Sequence, residues 1–166
     1  MATAKTNYAS PSDVSITLAS LGSDTSLLAG QESSAVDNTV NGYRDYWVSG
    51  KITTGTSPTA SRQIEVWAVG SIDGSIYPDV FDGTNSAETI SSSSNKASIC
   101  RFVANMATTS TSNQTYEFGP VLMSSVFGGD IPAKFVLFVT HNTAVNLNAT
   151  AGNHYIRLQP VYDTVT

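Results

Sequence analysis

The run Phe135-Val136-Leu137-Phe138-Val139-Thr140 is apolar at all but its last position. It is too short for a buried helix and rich in β-branched and aromatic side chains, which predicts a central strand covered on both faces. Such a strand needs layers on either side of it. Most other apolar stretches alternate with polar residues instead. Val14, Ile16 and Leu18 alternate with Ser15, Thr17 and Ala19; Tyr46, Val48, Gly50 and Ile52 with Trp47, Ser49, Lys51 and Thr53; Ile64, Val66 and Ala68 with Glu65, Trp67 and Val69. Period two is the mark of a half-buried strand. The turn residues Gly55 to Ser61 between the second and third of these predict a hairpin pairing Tyr43–Thr54 with Gln63–Ile72.

Further strands are expected at Ala97–Thr108, where Ala, Met and Asn also permit a helical turn, at Tyr116–Ser125 with a break at Gly119-Pro120, at Asn142–Asn148 and at His154–Tyr162. Asp73 to Asn95 is a long turn-rich connection, and loops of that kind in a compact domain often carry function. The count of about eight strands predicts an all-β fold, a single-domain antiparallel β-sandwich of jelly-roll type. Residues 1–13 are small and polar, with Pro11 near their end. They predict a flexible N-terminal arm ahead of a β-sandwich domain over residues 14–166.

Composition narrows the function classes. Eight Lys and Arg stand against thirteen Asp and Glu in 166 residues, a net charge of −5. The basic residues are scattered singly, so neither a phosphate backbone nor an anionic membrane surface is an expected partner. Ser, Thr and Asn take the place of charge, and the surface is expected to be neutral and hydroxyl-rich. No window holds the ~18 apolar residues of a membrane span, and the segment before Pro11 lacks the basic and apolar stretches of a secretory signal. Cys100, the only cysteine, has no partner for an internal disulfide and reads as a buried thiol beside Ile99 and Phe102.

No nucleophile elbow, Ser-x-x-Lys pair, phosphate loop or zinc-protease helix occurs, and no enzyme activity or cofactor is expected. His141 and His154 read as hydrogen-bonded strand-end residues rather than a shared metal site. Asp73, Asp79, Asp82 and Glu88 offer oxygen ligands to calcium, but their spacing matches no calcium loop and Asp-Gly and Pro-Asp pairs serve tight turns on their own account. Trp47 and Trp67, with Tyr43, Tyr46 and Tyr77 near in sequence, admit three readings: core residues, anchors of an assembly interface, or a platform for sugar rings. Asn113-Gln114-Thr115 and Asn148-Ala149-Thr150 match the glycosylation acceptor pattern, as chance provides in a chain so rich in Asn and Thr.

Three stretches together resemble small structural proteins of tailed bacteriophages. They are Ser49–Thr56 with Ile64-Glu65-Val66-Trp67, then Tyr77-Pro78-Asp79-Val80-Phe81-Asp82-Gly83-Thr84, and Phe138–Thr143 through Leu147–His154. The resemblance implies a virion protein made in the host bacterial cytoplasm that decorates or cements the outer head surface. Its partner would be the major capsid protein, and it would act as a homotrimer at local three-fold positions. The candidate partner-binding residues are Lys5, Asn7 and Tyr8 on the arm, the two tryptophans Trp47 and Trp67, and Tyr77, Asp79 and Asp82 on the long connection. The competing expectation is a glycan-recognising domain of a phage fibre or tail that uses the tryptophans and the Asp73–Glu88 loop.

Overall fold

Phe135, Leu137 and Val139 point into one apolar cluster and Val136 and Phe138 into a second, all completely buried. The strand that carries them, β10 (Lys134–His141), is the centre of the molecule, as its two apolar faces require. The structure, a computed structural model, describes residues 3–165.

Two antiparallel sheets make up the fold. Sheet A contains β1 (Ala4–Tyr8), β2 (Ser12–Asp13), β5 (Asp45–Thr53), β9 (Thr115–Leu122) and β11 (Tyr155–Val165), in the order β1-β11-β5-β9 with β2 also on β11. Sheet B contains β3 (Ala29–Glu32), β4 (Val36–Asp37), β6 (Gln63–Ser71), β7 (Ala87–Thr89), β8 (Arg101–Ala107) and β10, in the order β7-β3-β10-β6-β8 with β4 also on β10. Among the described residues this is a two-sheet sandwich of eleven strands, more than the alternation pattern suggests because β2, β4 and β7 are ladders of two or three residues. Of the two faces that alternation separates, the structure turns Tyr46, Val48 and Ile52 of β5 and Ile64, Val66 and Ala68 of β6 inward, where they meet in the inter-sheet core. Gly50 sits mid-strand because a Cβ there would collide with the Phe118 ring and the Tyr155 carbonyl at 2.8 Å.

Several expectations are overturned. β5 and β6 do not form a hairpin. The chain crosses from one sheet to the other between them, and β5 pairs with β11 and β9 while β6 pairs with β10 and β8. Val14 to Leu21 is no ladder strand; its apolar side chains pack on the core while the segment crosses between sheets, held by bonds such as Val14 N–H to the Ile156 carbonyl at 2.8 Å. Asn142 to Asn148 contributes only a bridge between Leu147 and Thr54. β9 runs on through Gly119-Pro120, because an edge strand has a side on which a missing N–H costs no ladder bond. The end of the connection and Ala97–Ile99, where the composition also permits a helical turn, form α1 (Ser93–Ile99), capped by the Ser92 side chain accepting from the Asn95 N–H, and the strand begins only at Arg101. A second short helix, α2 (Met123–Phe127), follows β9.

The expected N-terminal arm is a docked strand among the described residues, Met1 and Ala2 lying outside them. β1 adds to the edge of sheet A in register with the last residues of β11, from Ala4 opposite Val165 to Tyr8 opposite Val161.

Candidate interaction surface

The two outer faces of the sandwich differ in kind. On sheet B the long connection folds back over the strands, and Tyr77, Phe81, Ile90 and Cys100 close over Val69, Val136 and Phe138 as a second core. Burial pushes the Cys100 thiol up to about 11, which leaves it inert. Sheet A has its outward side chains exposed or half-buried: Trp47, Ser49 and Lys51 on β5, and Tyr155, Arg157 and Gln159 on β11. Lys51 and Arg157 both sit over the Tyr155 ring, at 5.3 and 4.4 Å from its centroid. Trp47 lies across from Leu122 on one side and Gln159 on the other.

The candidate residues therefore separate into three places. Lys5, Asn7 and Tyr8 are on β1 at the edge of sheet A, with Lys5 and Tyr8 exposed and Asn7 half-buried. Trp47 is on the outer face of the same sheet. Trp67, Tyr77, Asp79 and Asp82 lie on the far side of the sandwich, in or around the covering layer of sheet B. A sugar platform built jointly from Trp47 and Trp67 is not formed, because the two rings point outward from opposite sheets. The paired hairpin that would have aligned them does not exist.

Trp67 is tied down. Its ring meets Phe102 edge-on at 5.3 Å, its indole N–H donates to Glu65 Oε2 at 2.9 Å, and Lys96 Nζ lies 4.8 Å over it. The carboxylates of the connection are turn residues rather than convergent ligands. Asp73 Oδ1 accepts from the Ser75 and Ile76 N–H groups, Asp79 Oδ2 from the Ser91 N–H and hydroxyl, and Asp82 Oδ1 from the Thr84 N–H and hydroxyl. The bonds from Thr84 hold the Asp82 carboxyl below its ordinary range, and those from Ser91 outweigh burial to do the same for Asp79. Among the described residues no group of three His, Cys, Asp or Glu side chains is placed to hold a metal ion.

Both histidines are loop pins. His141 is buried, with Nε2 3.0 Å from the Leu21 carbonyl and Nδ1 2.9 Å from Thr143 Oγ1. His154 Nδ1 accepts from the Thr53 N–H, and Nε2 donates to the Asn148 carbonyl at 2.9 Å. The Asn148 amide donates to Asn113 Oδ1 at 2.9 Å, so the two acceptor-pattern asparagines hold each other.

Glu32 is the residue that sequence reading missed. It lies in a stretch without strong periodicity, yet its side chain is completely buried under the connection. Its Oε1 accepts from the Gly83 N–H at 2.7 Å, and the Asp82 N–H lies 3.3 Å away. Burial raises its carboxyl to about 7; the two N–H groups pull it back, while Asp82 and Glu88 push it up. Tyr77 is raised to about 12 by burial and then by the charge of Glu32. Its hydroxyl, also buried, makes no hydrogen bond within the described residues.

A raised carboxyl stabilises the folded state while protonated, so this contribution is present below pH 4.5 and is lost as the pH climbs through about 7. His141 and His154, held neutral by burial, act in the opposite sense, and stability falls once the pH drops below 6.5 towards their folded values. Between pH 4.5 and 6.5 the two effects oppose each other. The stability of Glu32→Gln relative to the parent should rise as the pH climbs from 4.5 to about 7 and stay level beyond. Unfolding free energies from urea denaturation across that range check this, and a difference that does not change with pH would show that Glu32 keeps an ordinary carboxyl.

Comparison with known proteins adds no assignment: no protein-family description matches the chain. Nor does any curated protein or solved structure match it significantly.

Proposed function

We propose that the chain is a non-enzymatic virion structural protein that attaches to the outer surface of a capsid shell through sheet A. The observation that carries this reading is the asymmetry of the sandwich. One face is sealed by its own connection, while the other presents a broad polar surface with Trp47 and the Tyr155 ring set among Lys51, Arg157 and Gln159. A protein that cements a shell needs one attachment face and one face that is finished towards solvent. Half-buried aromatic side chains are the usual anchors of the first.

Two further features support the reading. The strand order, with β1 and β2 beside β11, β5 and β9 in one sheet and β3 beside β10, β6 and β8 in the other, supports a jelly-roll reading of the sandwich, an architecture that serves viral capsid and lectin domains. Fold alone does not assign function. The stretches that carry the resemblance fall on β5 of sheet A, on β6, on the covering connection and on β10 with the loop that follows, so they are spread over both sheets. The proposed partner is the major capsid protein, and the proposed assembly is a homotrimer at local three-fold positions. Repetition over the shell turns weak single contacts into lasting attachment.

The test is binding of purified protein to capsids that lack it. Trp47→Ala, and separately Lys5→Ala with Tyr8→Ala, should reduce occupancy while leaving the unfolding free energy from urea denaturation within about 1 kcal/mol of the parent, as expected for positions outside the core. Full occupancy in both variants would overturn sheet A as the attachment face. Binding to glycans instead of capsids, lost in Trp47→Ala, would turn the reading to recognition.

A further inference from the structure

We propose that β1 is an exchangeable strand, and that the end of β11 in one copy receives Ala4–Tyr8 from a second copy of the chain. The geometry of the donor allows it to leave. β1 pairs with β11, and its side chains are exposed except for the half-buried Asn7, so detachment uncovers little apolar surface; Tyr8 is already 60 % exposed. The strand that follows stays behind: Asp13 of β2 pairs with Arg157 Nε at 2.6 Å, and the Val14 N–H bonds the Ile156 carbonyl at 2.8 Å. The hinge falls at Ser10-Pro11, between the Ala9 N–H bonded to the Pro160 carbonyl and the β2 anchor.

The geometry of the acceptor selects this strand. β5 accompanies β11 only as far as Val161, so Tyr162–Val165 depend on β1 for their ladder. Recognition goes beyond the backbone: Thr6 Oγ1 donates to Asp163 Oδ1 at 2.8 Å, and Asn7 Nδ2 donates to Thr164 Oγ1 at 2.9 Å. These contacts are identical whether donor and acceptor belong to one chain or two, so local concentration decides between them. Head-to-tail exchange of this kind joins copies side by side, in a ring where the rotation between copies closes and in an open chain where it does not. The inference stands apart from the capsid reading, because it is tested on purified protein.

Ala4 and Val165 face each other in register and are both exposed. Ala4→Cys and Val165→Cys are made as single variants, mixed at high protein concentration and oxidised, and the double variant is oxidised over a dilution series. The positions leave the Thr6 and Asn7 bonds intact, and the parent, whose Cys100 is buried, serves as the control. Exchange predicts a mixed disulfide dimer several-fold more abundant than either homodimer, together with covalent oligomers of the double variant that give way to internal closure on dilution. A mixed dimer no more than about twice as abundant as each homodimer, the ratio that random pairing gives, with the double variant closing only within one chain at every concentration, would overturn the proposal.

Discussion

Lys96→Ala should lower the stability of this protein by about 3–5 kcal/mol, the cost of leaving a buried charge without its partner. Lys96 is a helix residue with a buried side chain, and its ammonium is the only feature that reconciles three groups around it. Nζ donates to Glu65 Oε2 at 2.7 Å and to the Leu27 carbonyl at 2.7 Å, over the face of Trp67. Both ends of the ion pair are nearly enclosed, at 10 % and 12 % side-chain exposure. Removing the ammonium leaves the Glu65 carboxylate with the Trp67 N–H alone and strips α1 of its tie to sheet B. The double variant Lys96→Met with Glu65→Leu should recover most of the loss, since an apolar pair of similar volume has no desolvation to offset. Urea denaturation measures both. A loss in Lys96→Ala below about 1 kcal/mol, the value of an exposed pair, would mean that the pair is hydrated in solution.

Phe138→Ala should cost a similar amount, about 3–5 kcal/mol, through lost burial and the cavity left behind. The ring is completely buried on the sheet B side of β10 and meets Phe81 edge-on at 5.4 Å. Phe81 belongs to the long connection, so the effect should spread: amides from Tyr77 to Ile90 should exchange faster while those of β5 and β11 stay protected. Phe102→Ala, at a site 53 % exposed on the same side, should cost much less. If both variants lost equally little, the connection would be a loose loop and not a second core. If both lost equally much, the distinction between covered and uncovered parts of that face would fail.

These two positions also show what the sequence does and does not reveal. β10 is legible because the unbroken apolar run Phe135–Val139 can satisfy only a strand covered twice, and the division of β5, β6 and β11 into two faces is legible because alternation reports it, although which face is inward is set by the fold. Pairing is not reported by alternation. β5 and β6 alternate as a hairpin would, but their partners are β11, β9, β10 and β8, and nothing local encodes that choice. The seal on sheet B is likewise hidden. Tyr77, Phe81 and Ile90 are isolated apolar residues among turn signals, and only the fold brings them over Val136 and Phe138. Glu32 is invisible for the same reason, since a lone acidic residue in a polar stretch reads as exposed. Lys5, Asn7 and Tyr8 lie on a polar segment whose pairing with β11 of the same chain no local pattern reports.

Attachment of sheet A to a capsid exterior is tested most directly by cryo-electron microscopy of virions made from the genome that encodes the chain. Under the proposed attachment the expected density is a two-sheet sandwich on the outside of the head, with Trp47 and Tyr155 towards the shell and the Asp73–Glu88 connection towards solvent. A sandwich lying on the shell through the covered side of sheet B, or particles whose heads lack it altogether, would contradict it.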